Sequence, residues 1–278
     1  MLASAFGFAA MGMCVRLADD FGEALSSFQK SFFRNLVAFS VALPVFIATA
    51  RRQGFSVPRA GWMPLVLRSV FGTAGIFMNF YALSHIHLSD ACMLNKFAPF
   101  ATLLASWAFM GERLRARQAL AVAVAFLGAM LVVKPGFAFG GSSYAAALGL
   151  ASGVAAGLAY ACVHRLGVLG MTPSFIVLFF STFSTLAALP SLFFGYQPMT
   201  PLQVLILLGA GVGATVGQFG ITMAYRFAQP REIVVYDYSN VAFAALFGFL
   251  VFGQIPDVFS VLGILLIVAM GVFMRRAR

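Results

Sequence analysis

Charge is what this sequence has least of. Only 9% of its 278 residues are Asp, Glu, Lys or Arg, against roughly a quarter in soluble domains. No polar stretch long enough to cover a soluble domain interrupts the apolar runs, so the whole chain reads as one integral membrane unit. Cysteine is scarce too. Cys14, Cys92 and Cys162 lie in or beside apolar runs, form no metal-ligand spacing or disulfide framework, and are expected to be free thiols. The motifs His-Glu-x-x-His and Gly-x-Ser-x-Gly are missing, as is any pair of intramembrane aspartates, which argues against a membrane-embedded enzyme. Without Gly-x-x-x-x-Gly-Lys there is no P-loop pump, so neither enzymatic activity nor a cofactor is expected. The first apolar run has no basic start and no small-residue cleavage site, and reads as a first helix instead of a signal peptide.

What is abundant is hydrophobic sequence, 62% of the chain. A hydrocarbon core ~30 Å thick needs about 20 apolar residues in a helix. Candidate spans fall at about 2–18, 25–50, 61–85, 90–110, 117–134, 144–166, 173–195, 201–226, 231–253 and 256–274. The runs are continuous, not alternating, which excludes a barrel and leaves helices as the only way to satisfy the backbone in lipid. The expected fold is all-α, an integral membrane protein of ten transmembrane helices.

The net charge of +10 is distributed unevenly. If the chain alternates from side to side, one side receives Arg51, Arg52, Arg59, Arg113, Arg115, Arg117, Arg165, Arg226, Arg231, Arg275, Arg276 and Arg278. The other side holds Lys134 with Asp19, Asp20 and Glu23. Basic loops are retained in the cytoplasm during insertion, so both termini are expected to be cytoplasmic and the protein to reside in the inner (plasma) membrane. The arginines are scattered over short loops and form no nucleic-acid patch.

The second half replays the first at an offset of 142 residues: Gly7 falls on Gly149, Ala9 on Ala151, Gly75 on Gly217, Ala82 on Ala224, Asn95 on Asp237, Lys96 on Tyr238, and Gly111-Glu112 on Gly253-Gln254. With a short insertion, Ala42-Leu43-Pro44 matches Ala188-Leu189-Pro190. The expected units are residues 1–137 and 143–278, joined by a linker that carries Pro135, Gly136, Gly140 and Gly141. Five spans per unit is an odd number, so the second unit is expected to sit upside down, as in the inverted repeats of secondary transporters. Two halves of nearly equal stability can exchange conformations and so alternate access.

Pro99 inside span four, Met110-Gly111-Glu112 at its end and Gly253-Gln254 ending span nine carry a resemblance to the drug/metabolite transporter superfamily, of the EamA-like type with ten helices in two five-helix repeats. The resemblance covers essentially the whole chain, with Gln254 standing where the family often has Glu. It implies carrier-type export of small organic solutes without ATP hydrolysis. Among its members the YddG-like aromatic amino acid exporters are the best guess. A multidrug or other metabolite exporter, for nucleosides or purines, is the alternative, and a passive channel-type facilitator the alternative of another class. Expected partners are a small-molecule substrate, the lipid bilayer and a coupling proton, with no nucleic acid, and the chain is expected to act as a monomer.

A charge inside hydrocarbon persists where water or a partner receives it. Lys96 lies about six residues into span four, so ~9 Å from its external end. It reads as a cation facing a central cavity, with snorkelling to the interface the competing reading. Pro99 removes the hydrogen bond to the Asn95 carbonyl, which suits a polar cavity. Asp237 and Tyr238 would supply polar groups at the other depth. Asp237 could instead pair with Arg231 or Arg226, and Tyr236 and Tyr238 could belong to an interfacial belt. Asn79, Tyr81, Gln218 and Tyr225 on spans three and eight and Tyr160 on span six complete the candidate substrate-binding set. For Asn79 and Gln218, cavity lining and interhelical bonding are both open. His164 beside Arg165 is expected to be exposed, and His85 and His87 solvated. Lys30, Arg34 and Arg68 are expected to snorkel, with Arg34 a lesser cavity candidate. Glu112, offset by Arg113, Arg115 and Arg117, is expected to be a structural or gating ion-pair residue. Gly149, Gly153, Gly157, Gly213 and Gly217 are packing devices, and Pro44 and Pro190 are paired bending points whose bland alternative is a passive kink.

Overall fold

The computed structural model describes residues 1–23, 25–86, 88–112, 115–134 and 143–276. His87, Arg113, Arg278 and the linker residues 135–142 lie outside them. Among the described residues every regular element is helical: α1 (Leu2–Asp19), α2 (Ser27–Gln53), α3 (Arg59–His85), α4 (Leu88–Asn95), α5 (Ala98–Met110), α6 (Ala116–Val133), α7 (Ser143–Val168), α8 (Pro173–Gly195), α9 (Pro201–Phe227), α10 (Pro230–Ile233), a 3-10 turn (Val234–Tyr238), α11 (Ser239–Phe252) and α12 (Val258–Arg276). Nine of these stretches are long and apolar enough to cross a bilayer, counting Pro230–Phe252 as one. The expected fourth span is realised as α4 and α5, and neither piece reaches that length alone. Large apolar side chains such as Phe109, Phe194 and Ile255 point outward, an arrangement that water would penalise and lipid tails satisfy.

Small residues set the helix pairing. A Cβ at Gly7 on α1 would lie 2.6 Å from the Gly217 nitrogen on α9, and one at Gly128 on α6 would lie 2.8 Å from the Gly263 carbonyl on α12. One at Gly153 on α7 would lie 2.6 Å from the Leu94 carbonyl at the end of α4. Such faces let helix backbones approach closely where the lipid offers no hydrophobic drive. The principal pairs are α1 with α9, α3 with α7, α2 with α8 and α6 with α12, followed by α5 with α7 and α1 with α11. Exchanging each helix for its sequence counterpart maps this set onto itself.

Two of the pairs are visibly antiparallel. At the start of α2, Gln29 and Ser26 bond Gln197 just beyond the end of α8, with Gln29 Nε2 donating to the Gln197 carbonyl at 2.8 Å. At its far end, Phe46 packs on Phe175 near the start of α8. For α6 and α12, Lys134 after the last turn of one pairs with Asp257 before the first turn of the other.

The two broken spans share their geometry. The fourth breaks at Lys96–Phe97, where Pro99 occupies the first turn of α5 and cannot continue the helical ladder. Its counterpart becomes the 3-10 turn ending at Tyr238. Both spans then end on a left-handed glycine, Gly111 at φ 68° and Gly253 at φ 64°, a conformation strained for other residues. In each, the following amide reaches back to close the last turn: Glu112 to the Ser106 carbonyl and Gln254 to the Gly248 carbonyl. Pro44 and Pro190 lie inside α2 and α8, both of which continue past them.

Candidate functional site

The polar groups of the interior gather in three places. The first is where the broken spans meet. The Tyr238 hydroxyl donates to the Lys96 carbonyl at 3.2 Å, so residues equivalent in the repeat touch across the two halves. A side-chain donor thus reaches the Lys96 carbonyl, next to the Asn95 carbonyl from which Pro99 withholds a helical donor. Lys96 Nζ donates to Asn240 Oδ1 at 2.8 Å, and Asn240 in turn donates to the Ala5 carbonyl. The ammonium is therefore held inward against the second half instead of snorkelling. Asn95 donates to Ser152 on α7 at 3.0 Å, which bonds the Gly149 carbonyl. Asp237 forms no ion pair with Arg226 or Arg231; it feels the charges of Lys96 and the Met1 amino group. Tyr238 is fully buried, and Tyr236 donates to the Gly271 carbonyl, so neither belongs to an interfacial belt.

The second place is the interior between α2, α3, α7, α8 and α9. Here the structure corrects the expectation of snorkelling: Arg34 and Arg68 are only 6% and 3% exposed. Arg68 Nη2 donates to Gln218 Oε1 at 2.7 Å, and its guanidinium lies 3.9 Å from the centre of the Phe180 ring. Gly72, one turn along α3, leaves the space that this guanidinium fills. Arg34, Arg68 and Tyr160 are close enough to act on one another electrostatically. Tyr160 stacks on the fully buried Tyr225, their centroids 5.9 Å apart. The Nε atoms of both arginines are buried without a hydrogen-bond partner, as is Asn79 Oδ1 about three turns further along α3. Lys30, by contrast, reaches Asp19 at 2.7 Å in the first turn of α2.

The third place is the end of α5. His164, expected to be exposed, is buried, and Glu112 pairs with it at 2.9 Å; neither Arg115 nor Arg117 pairs with Glu112, and Arg113 lies outside the described residues. The other ring nitrogen, Nδ1, faces the Tyr225 carbonyl at 2.8 Å. A carbonyl cannot donate, so Nδ1 carries a proton. The Nε2–Glu112 contact then holds one more, on the imidazole or on the carboxyl. The pair closes only with that proton in place.

Of the proposed set, Lys96, Asn95, Asp237 and Tyr238 cluster at the broken spans, and Tyr160, Gln218 and Tyr225 join the arginines. Tyr81 stands apart: it is 39% exposed and stacks on the exposed His85 at 4.0 Å. A cavity of about 600 Å³ opens at the end of the molecule beside Arg115, Arg117, Gln118, Arg231, Glu232 and Met274.

Residues 1–134 and again 143–275 match the EamA-like transporter family. Over 276 residues the chain is 30% identical to the pseudopaline exporter CntI of Pseudomonas aeruginosa (strain UCBPP-PA14), covering 99% of this chain and 94% of that protein. It is 26% identical over 295 residues to solute carrier family 35 member G1 of Homo sapiens, covering 98% of this chain and 76% of that one. A crystal structure superposes with a TM-score of 0.77 at 17% identity, over 99% of this chain and 97% of its own, which shows a common fold. The chain belongs to the EamA-like transporter family, within the drug/metabolite transporter superfamily, and is a multi-pass membrane transporter.

Proposed function

We propose, from that membership, that the protein is a secondary carrier exporting small amphipathic solutes across the plasma membrane by alternating access. The observation that carries the reading is the helix pairing, which survives exchange of the two halves. A framework with that property has two conformations of similar energy, related by swapping the roles of the halves. The antiparallel packing of α2 on α8 and of α6 on α12 supports an inverted second unit. The basic residues around the 600 Å³ cavity support a cytoplasmic location for that end, with both termini on the same side. Lys134 and Asp257 then tie the external end of the α6–α12 pair.

Amino acids, aromatic ones included, remain the first solutes to try, because Tyr160, Tyr225 and Phe180 surround the buried cations. The relative named as a pseudopaline exporter supports export as the direction and adds pseudopaline to the panel. The Glu112–His164 contact offers a place for the coupling proton. Counterflow into preloaded proteoliposomes, with amino acids, nucleosides and pseudopaline as tracers, tests the reading. Saturable counterflow of one of them is expected. Flux that rises linearly with concentration and shows no counterflow would make the protein a channel.

A further inference from the structure

We infer that Arg34 and Arg68 form a binding site for an oxyanion, a carboxylate or a phosphate, carried by the transported solute. The identity of that solute as cargo rests on the carrier reading; the site itself does not. Both side chains are more than nine-tenths buried, on neighbouring helices α2 and α3, and close enough to repel each other. A guanidinium keeps its proton at neutral pH, so two positive charges stand in the interior. Buried charges are otherwise paired or bound to a ligand.

The acids whose side chains are described, which Asp90 is not, do not answer them. Among the described residues, Asp19 is taken by Lys30, Asp257 by Lys134 and Glu112 by His164. Asp20 and Glu23 are exposed beyond the end of α1, and Glu232 lines the cavity at the far end. Asp237 acts on Lys96 and on Tyr160, so among the described side chains of the deep interior three cations face one carboxylate. Those side chains supply no anion to the two arginines.

The donors are also arranged for one. Gln218 and the Phe180 ring fix one side of the Arg68 guanidinium, while its Nε and that of Arg34 have no partner. Arg34 makes no hydrogen bond at all among the described residues. Carboxylates and phosphates are the groups that match such planar donors. The arginines come from the first half, and Tyr160, Phe180 and Gln218 come from the second. A ligand there touches both moving parts. The aromatic walls fit an apolar body attached to the anion.

Thermal unfolding of the purified full-length chain tests this with four probes of one shape: benzoate, phenyl phosphate, benzylamine and benzyl alcohol. Benzoate or phenyl phosphate is expected to raise the wild-type midpoint saturably, as a ligand of the folded state does, and the larger response of the two decides between carboxylate and phosphate. Benzylamine and benzyl alcohol are expected to do nothing. Arg34→Met and Arg68→Met should each weaken the anion response roughly tenfold or more, with Arg34→Lys retaining part of it. The ligand-free Arg34→Met protein should be at least as stable as wild type, because it loses a buried charge with no partner. A purely structural arginine would leave it less stable, and that result would overturn the proposal. So would an unchanged anion response in both Met variants, or no response of the wild type to either anion at millimolar concentration. An anion response without counterflow keeps the site and removes the carrier reading. Counterflow that survives in the double Met variant does the reverse.

Discussion

The two halves of the molecule share helix pairing but not charge. Ala42 and Ala188, equivalent in the repeat, are both fully buried, and Gly111 and Gly253 end their spans with φ angles within a few degrees of each other. Yet where the first half has Arg68, Lys96 and Glu112, the second has Ala210, Tyr238 and Gln254. With the insertion that sets Pro44 on Pro190, Arg34 falls on Phe180, the ring beneath the Arg68 guanidinium. Residues that repeat are small or bend the chain, and they hold the exchangeable framework. Residues that break the repeat carry the cations and the titratable pair. On the proposed carrier reading, symmetry would supply the motion and departure from it the chemistry.

The hardest test of that division is at the crossing of the broken spans. Lys96→Ala removes the cation facing Asn240 and is expected to reduce counterflow to the level of empty liposomes while membrane insertion stays normal. Its counterpart Tyr238→Phe deletes a single hydrogen bond to a carbonyl, worth about 0.5–1.5 kcal/mol net, and should lower transport only a few-fold. Equal losses in the two variants would mean that the crossing works as a packed junction and that charge asymmetry is incidental there. Normal counterflow by Lys96→Ala would remove the lysine from the mechanism.

A smaller and more selective effect is expected at the paired span ends. Glu112 meets a histidine, through a contact that needs a proton. In the second half, Gln254, with its amide turned to suit its neighbours, accepts from the Arg16 guanidinium at 3.1 Å, and no proton is exchanged. Glu112→Gln supplies an amide donor to His164 in place of the shared proton. Counterflow needs no proton gradient and should be nearly kept in the variant, whereas export driven by an imposed proton gradient should fall to the rate without a gradient. Gradient-driven export unchanged by Glu112→Gln would place the coupling proton elsewhere.

Much of this was legible in the sequence. Continuous apolar runs place the helices to within a few residues, because lipid forbids any other way of satisfying the backbone. The break at Lys96 is signalled by Pro99, and the equivalence of Lys96 and Tyr238 by the repeat offset. What was not legible was which way the polar side chains turn. Arg34 and Arg68 read as snorkelling residues because long cations near span ends usually do so. The signal against it was depth: Arg34 stands seven residues and Arg68 nine residues inside helices of 27, and Gly72 one turn beyond Arg68 leaves room for a head group. His164 read as exposed from its neighbour Arg165, yet adjacent helical residues point about 100° apart. Its partner, Glu112, lies 52 positions away, a contact made only once α5, α7 and α9 have packed.

The smallest effect is expected where the halves differ by charge at the surface alone. The α6–α12 pair is tied at one end by Lys134 and Asp257, whose repeat counterparts at the other end are Arg276 and Arg115, two like charges of which Arg115 lines the cavity. The hydrogen bond from Lys134, and then those from Ser260, hold the Asp257 carboxyl down to about 2 from an ordinary 3.8. A depressed carboxylate stabilises the fold above its unfolded value and loses that contribution as the pH falls toward about 2. The tie is therefore complete at every physiological pH and gives no pH dependence there. Asp257 also caps α12 by accepting from the Ser260 amide at 2.9 Å, a role that asparagine fills equally well. Asp257→Asn thus removes the ion pair alone, and exposed pairs contribute little in salt. Its unfolding midpoint at neutral pH should match the wild type. If instead its counterflow rises, the tie restrains opening of that end, and on the carrier reading the surface difference between the two ends joins the asymmetries that would set the resting state.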